Sequence, residues 1–121
     1  MQVIDVASEL DKVSVIKYTS IDDNIVNVSW TDYTTEKKWI RSNYYLNNHG
    51  VITFDRKLEE IPRSIFSGDV TGSESTERLV SVVIPKGVKK ICMYAFEYCK
   101  ELKEVTLPDG LEEIDGGAFN Y

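Results

Sequence analysis

Few side chains in this sequence could do chemistry, and each stands apart from the partners that chemistry requires. His49 is the one histidine, set within Asn47-Asn48-His49-Gly50, a turn-forming run with no acid or nucleophile at a telling spacing. A structural place in that turn is therefore expected, ahead of a role as base or ligand. Cys92 and Cys99 are the two cysteines. A nucleophilic thiol needs an electropositive, partly exposed setting, whereas Cys99 falls on an apolar stretch beside acidic neighbours and reads as a buried free thiol. Two cysteines make no disulfide framework, and the sequence lends little support to a bond between them. Ile21-Asp22-Asp23-Asn24 brings two carboxylates together but lacks the alternating oxygen ligands of a calcium loop. G-x-S-x-G, H-E-x-x-H, P-loop and G-x-G-x-x-G signatures are all absent. No catalytic residue, no metal and no cofactor are expected.

Binding is the remaining class, and composition narrows it. The chain has 121 residues, room for one domain or for a small cap fused to a short repeat array. A net charge of −6 argues against non-specific nucleic-acid binding and against docking on anionic lipid. No apolar run approaches the roughly 20 residues that cross a bilayer, and the first residues lack the basic and apolar regions of a signal peptide. Trp30, Tyr33, Trp39, Tyr44 and Tyr45 crowd one short stretch. Such rings could stack on sugars, giving a carbohydrate-binding module as one alternative function; a purely structural or oligomerisation unit with no separate ligand is the other. A small N-terminal segment needs large side chains for its own core, however, and that is the expected use.

The elements that must position any binding surface are repeated. Leu79, Val82, Ile84, Pro85, Gly87, Val88, Ile91, Ala95, Phe96 and Tyr98 recur 23 residues later as Leu102, Val105, Leu107, Pro108, Gly110, Leu111, Ile114, Ala118, Phe119 and Tyr121. A weaker copy, Ile52, Phe54, Leu58, Ile61, Ile65 and Phe66, precedes them at an offset of 30. The additional residues fall in Asp69 to Glu77, a polar stretch expected to bulge from the surface. Within each unit a strand ends at proline and turns at glycine (Gly87, Gly110), and a second short extended segment follows. Ala95, Phe96, Cys99 and Leu102 then suit one or two helical turns. A lone unit has nothing to bury its apolar side chains against, so stacking is required.

Residues 1–50 do not repeat. "VIKYTS" and "NIVNVSW" alternate around Ile21–Asn24 and predict a hairpin. Val3, Val6, Ala7 and Leu10 allow a short helix before it. The fold expected is β-rich α+β: a non-repeat N-terminal β cap, residues 1–50, followed by about three units at 51–78 (with the loop 69–77), 79–101 and 102–121.

The pattern L-x-x-V-x-[IL]-P-x-G-[VL]-x-x-I-x-x-x-A-F resembles the BspA-type leucine-rich repeat family, over residues 50–121. Ala95 and Phe96 with Cys99 three residues on are its most specific part. Cys92 and Pro62 stand where the family's glycine is usual, and Ile65 where alanine is, departures that alter local turns and spare the core pattern. The resemblance implies a right-handed solenoid of parallel strands used as a recognition surface. It also implies a bacterial surface or secreted protein that adheres to host proteins or cells, although no signal peptide opens this chain.

Two surfaces follow from strand parity. With Ile52 and Phe54 inward, Val51, Thr53, Ser81, Val83, Glu104 and Thr106 face outward as a row suited to a protein partner. The last unit leaves Leu107, Leu111, Ile114 and Phe119 with no unit beyond them. That end is expected either to self-associate into a homo-oligomer or to be covered by a longer natural protein.

Overall fold

The computed structural model describes residues 12–26, 39–66 and 75–119. β1 (Val15–Ser20) keeps the alternation of its sequence, with Ile16, Tyr18 and Ser20 buried and Lys17 exposed. β2 (Ile40–Leu46) and β3 (His49–Phe54) form a hairpin closed by Asn47 and Asn48, at φ 54° and 69°. Two successive left-handed residues match the right-handed twist of the flanking strands, and asparagine tolerates that conformation better than most residues. β4 (Glu60–Ile61), β5 (Leu79–Val83), β6 (Lys90–Ile91), β7 (Glu104–Thr106) and β8 (Glu113–Ile114) then alternate between two sheets. The larger has the order β2-β3-β1-β5-β7 and the smaller the order β4-β6-β8.

The sequence repeat reappears as register. Ser81, Val82 and Val83 pair in parallel with Glu104, Val105 and Thr106, and Ile91 pairs with Ile114, each partner 23 residues on. Ile61 pairs with Ile91 across the longer offset. Inside, Phe66, Phe96 and Phe119 stack at 5.3 and 5.1 Å between ring centres, with Ile61, Ile91, Val82 and Ala95 fully buried around them.

Three expectations are corrected. Among the described residues β1 makes no hairpin with the residues that follow Ile21–Asn24. β1 has β3 on one edge and β5 on the other, both antiparallel, which leaves no edge for a strand from the following residues. Asn27–Trp30 of that expected arm lie outside the described residues, as do the helix at Val3–Leu10 and residues 69–74 of the loop.

Second, the first unit's strand β3 does not lie against β5, because β1 runs between them. Phe54 N accordingly donates to Ser14 O at 3.0 Å, while its repeat equivalent Ile84 N donates to Thr106 O at 2.9 Å. Strands sit about 4.8 Å apart. The first two units are therefore one spacing apart in the smaller sheet and two in the larger.

Third, no α-helix occurs among the described residues, so the fold there is β with turns rather than α+β. Met93 to Leu102 makes successive tight turns (Ala95 N to Cys92 O, Cys99 N to Phe96 O, Leu102 N to Cys99 O), and Tyr94 and Tyr98 take φ of 61° and 63°. A left-handed residue every few positions stops helix propagation.

The polar insertion also does more than bulge. Its last residues enter a 3-10 turn, Ser75–Arg78, in which Glu77 is half-buried. Arg78 clamps the Ile21–Ile25 loop, pairing with Asp22, donating from Nη2 to Ile25 O at 2.7 Å and accepting from Ile21 N at 2.8 Å.

The two repeat glycines differ. Gly87 has φ +97°, a conformation costly for any residue with a Cβ, whereas Gly110 lies outside that region with open space around its Cβ position. Gly87→Ala should cost about 1–2 kcal/mol and Gly110→Ala less than about 0.5 kcal/mol. Urea titration of the two variants checks the contrast; equal midpoints would refute it.

Candidate interaction surfaces

The outer face of the five-stranded sheet gathers the residues expected to meet a partner. Register aligns Tyr44, Val51, Lys17, Val83 and Thr106 in one row across β2, β3, β1, β5 and β7. Ser42, Thr53 and Val15 make a parallel row. Thr19 stands beside Ser81, their hydroxyls 2.6 Å apart, with Glu104 next to Ser81 on β7. Tyr44 is 48% exposed and Val83 41%, while Val51, Thr53 and Ser81 are half-buried by their neighbours. Sequence parity found six of these positions and missed Lys17, an exposed cation between Val51 and Val83. It comes from a strand outside the repeat, and nothing in the 23-residue pattern signals the insertion.

The second surface is the face of the last unit. Leu107, Ile114 and Phe119 are 46%, 47% and 38% exposed, and Leu111 is half-buried. Among the described residues, β7 and β8 are each paired along one edge only.

The described aromatics make no common platform. Trp39 lies at the far end of the hairpin with the Arg56 guanidinium 4.2 Å from its ring, oriented by Asp55, whose Oδ1 accepts from Arg56 Nε at 2.7 Å. This ion pair holds the Asp55 carboxyl below its ordinary value and the Arg56 guanidinium above its own. A hollow of about 400 Å³ opens beside them, bordered by Leu58, Glu60, Pro62 and Cys92. Tyr45 packs inward on Tyr18 at 6.0 Å and donates to Asp23 at 2.9 Å, whereas Tyr44 faces out on the opposite side of β2. Trp30 and Tyr33 lie outside the described residues.

The residues weighed for chemistry are held structurally. His49 Nδ1 sits 3.2 Å from Asn47 O within its turn. Asp22 and Asp23 are engaged by Arg78 and Tyr45. Cys99 Sγ donates to Phe66 O at 2.8 Å in the core, and burial, with Glu77 nearby, pushes its thiol up to about 12. Burial and a hydrogen bond from its Sγ to Glu60 at 3.3 Å likewise push Cys92 up to about 12. Both thiols stay protonated at neutral pH, the opposite of an activated nucleophile. Among the described residues no group of three or more His, Cys, Asp or Glu side chains could hold a metal ion.

A consequence for stability follows. Folding raises these thiols above their ordinary value of 9.0, and burial raises Tyr18 above 10.0. The folded chain binds more protons than the unfolded one in that range, so this stabilisation is complete below pH 9 and drains as pH rises toward 12. Urea midpoints should therefore fall between pH 8.5 and 11, and less steeply in Cys99→Val. An unchanged slope in that variant would dismiss Cys99 as a cause.

With this geometry in place, residues 73–121 match the family described as BspA type leucine rich repeat region (6 copies). This segment is similar to the BspA-type leucine-rich repeat. The match takes in the second and third units, whose strands pair in parallel in both sheets, and the first unit lies upstream of it. No curated protein and no solved structure gives a match. Leucine-rich repeats generally mediate protein interactions and are generally non-enzymatic, and the BspA type is typically found on surfaces or secreted. No helix among the described residues is long and apolar enough to cross a membrane.

Proposed function

We propose that the chain is a recognition module in which a short leucine-rich-repeat solenoid of three units, residues 51–121, carries an N-terminal β cap and binds a protein partner through the outer face of the five-stranded sheet. The observation that supports this most is the aligned row Tyr44–Val51–Lys17–Val83–Thr106, which crosses cap and repeat alike. An exposed ring, exposed β-branched side chains and one central cation are the mixture that partner surfaces use: aromatic and aliphatic contact area with a charge for orientation. By family character the module works at a bacterial surface or in secreted form, in an adhesin-like role.

The test compares wild type with Lys17→Glu/Val83→Asp in capture from host-cell and bacterial-surface protein extracts, alongside a glycan array. Both positions are exposed, so melting should change little. The expected result is a discrete protein captured by wild type and lost by the double variant. Capture by both equally would remove the sheet face from the mechanism. Selective glycan binding abolished by Tyr44→Ala would move the function to carbohydrate.

A further inference from the structure

The hollow of about 400 Å³ beside Trp39 shares no residue with the outer face of the larger sheet. Trp39, at the base of the β2–β3 hairpin, and the start of the first unit line it together. Its volume is at the small end of ligand pockets, which span about 300–1,000 Å³, and suits one residue rather than a long segment. Leu58 and Pro62 are buried and give it an apolar wall beside the Trp39 ring. The backbone there is tied down: Ser14 N donates to Arg56 O at 3.0 Å, and Leu58 N donates to Ser14 Oγ at 2.7 Å.

The polar groups at the rim select the occupant. Arg56 is held by the Trp39 ring, 4.2 Å from its Cζ, and by Asp55, which accepts from Nε at 2.7 Å and from Nη2 at 3.3 Å. That pairing uses one edge of the guanidinium. The Nη1–Nη2 edge is left over, a fork of the kind that grips a carboxylate through two parallel hydrogen bonds. Lys57 and Arg63 border the same space, both exposed, and among the described residues neither is paired with a carboxylate. Arg63 rests over the Tyr94 ring at 5.6 Å. Three cations beside an apolar wall call for a carboxylate joined to an apolar group. Glu59 and Glu60 add a further requirement, because they line the hollow too. Glu60 takes the Cys92 thiol at 3.3 Å, which leaves oxygens on both carboxylates to accept. The occupant must therefore bring an N–H or O–H donor as well. The last residue of a polypeptide carries all three groups: a free α-carboxylate, a side chain and a backbone N–H.

We propose that this hollow captures the C-terminal residue of a partner polypeptide, with its carboxylate on the Arg56 fork and an apolar side chain against Trp39 and Leu58. The site is separate from the sheet face, and the proposal does not rest on that reading. A free amino acid or a small organic acid shares part of the same chemistry, so the test must tell these sources apart.

The test titrates the full chain with acetyl-Ser-Gly-Leu and follows the indole N–H resonance of Trp39, assigned by its loss in Trp39→Phe. The expected result is a saturating shift with a Kd of about 1 mM or tighter. The same peptide with a C-terminal amide should bind at least about tenfold more weakly, since it lacks the charge-assisted hydrogen bonds. Benzoate, with no donor, and free leucine, whose ammonium would stand beside the same cations, should also bind more weakly than the peptide. Arg56→Lys keeps the charge and loses the fork, so affinity for the peptide should fall about tenfold while melting changes little. Lys17→Glu/Val83→Asp should bind the peptide as wild type does. Equal binding of acid and amide, or no shift with either, would overturn the carboxylate site. Undiminished affinity in Arg56→Lys would overturn the role of the fork. Leucine or benzoate binding as tightly as the peptide would overturn the polypeptide terminus as the occupant. Loss of binding in the sheet-face double variant would overturn the placement in the hollow.

Discussion

Phe96→Ala is expected to unfold the repeat region or to lower its melting temperature by roughly 10 °C or more. Phe96 is 1% exposed and stands between two rings, Phe66 at 5.3 Å and Phe119 at 5.1 Å. Truncation empties a space that neither neighbour can fill without leaving its own unit. Such losses cost about 3–5 kcal/mol, against total stabilities of about 5–15 kcal/mol. Phe119→Ala provides the internal comparison. It removes the same ring at the open end, where 38% exposure means that much of the transfer energy was never gained, so its cost should be no more than about half as large. Thermal melts of the two variants decide the matter. A Phe96→Ala chain melting within about 2 °C of wild type would refute the stacked core, and equal losses would refute the open end.

Phe96 also shows what the sequence can disclose. A core position that recurs in every unit is written three times, as Phe66, Phe96 and Phe119, and burial follows because each unit needs the next. The strand row followed for the same reason, since parity within a strand is fixed once Ile52 and Phe54 are inward. What escaped detection belongs to contacts that do not repeat. β1 enters the larger sheet between the first two units and brings Lys17 into the row, yet its own residues show only an amphipathic strand, with no sign of its neighbours. The turns at Met93–Leu102 are not legible in the sequence, because inward residues at i, i+1, i+4 and i+7 fit a helix and a chain of tight turns equally. A signal was nevertheless present. Ser64, Tyr94 and Gly117 are equivalent positions at φ 63°, 61° and 78°, and only the glycine of the third unit betrays that the site is left-handed. Tyr94 keeps the strained conformation with its ring over Gly117, where a Cβ would lie 2.9 Å from Cε1.

Gly50→Ala is the second large effect expected, and its cause is steric rather than conformational. Gly50 faces Tyr18 across β3 and β1, and a Cβ there would lie 2.1 Å from Tyr18 Cζ and within 2.5 Å of both Cε atoms. The ring has no route of escape. Its hydroxyl donates to Asn43 Oδ1 at 2.7 Å and accepts from Val26 N at 3.1 Å, while Asn43 Nδ2 donates to Val26 O at 2.8 Å. Tyr45 packs against it at 6.0 Å. A single methyl group therefore displaces a fully buried phenol and breaks the bonds that tie β1, β2 and the Val26 segment together. Overpacking alone costs about 1–3 kcal/mol, and each buried group left unpaired adds about 1–3 kcal/mol. The decisive measurement is a double-mutant cycle with Tyr18→Leu, which clears the space above Gly50. Each single variant should be strongly destabilised. The double variant should lose far less stability than the sum of the two single losses, because the methyl group has nothing left to strike. Tyr18→Phe keeps the ring and should give no such rescue. Strict additivity, or a Gly50→Ala chain that melts like wild type, would mean that Tyr18 does not cover Gly50 and that the packing of β1 on β3 differs from the one described.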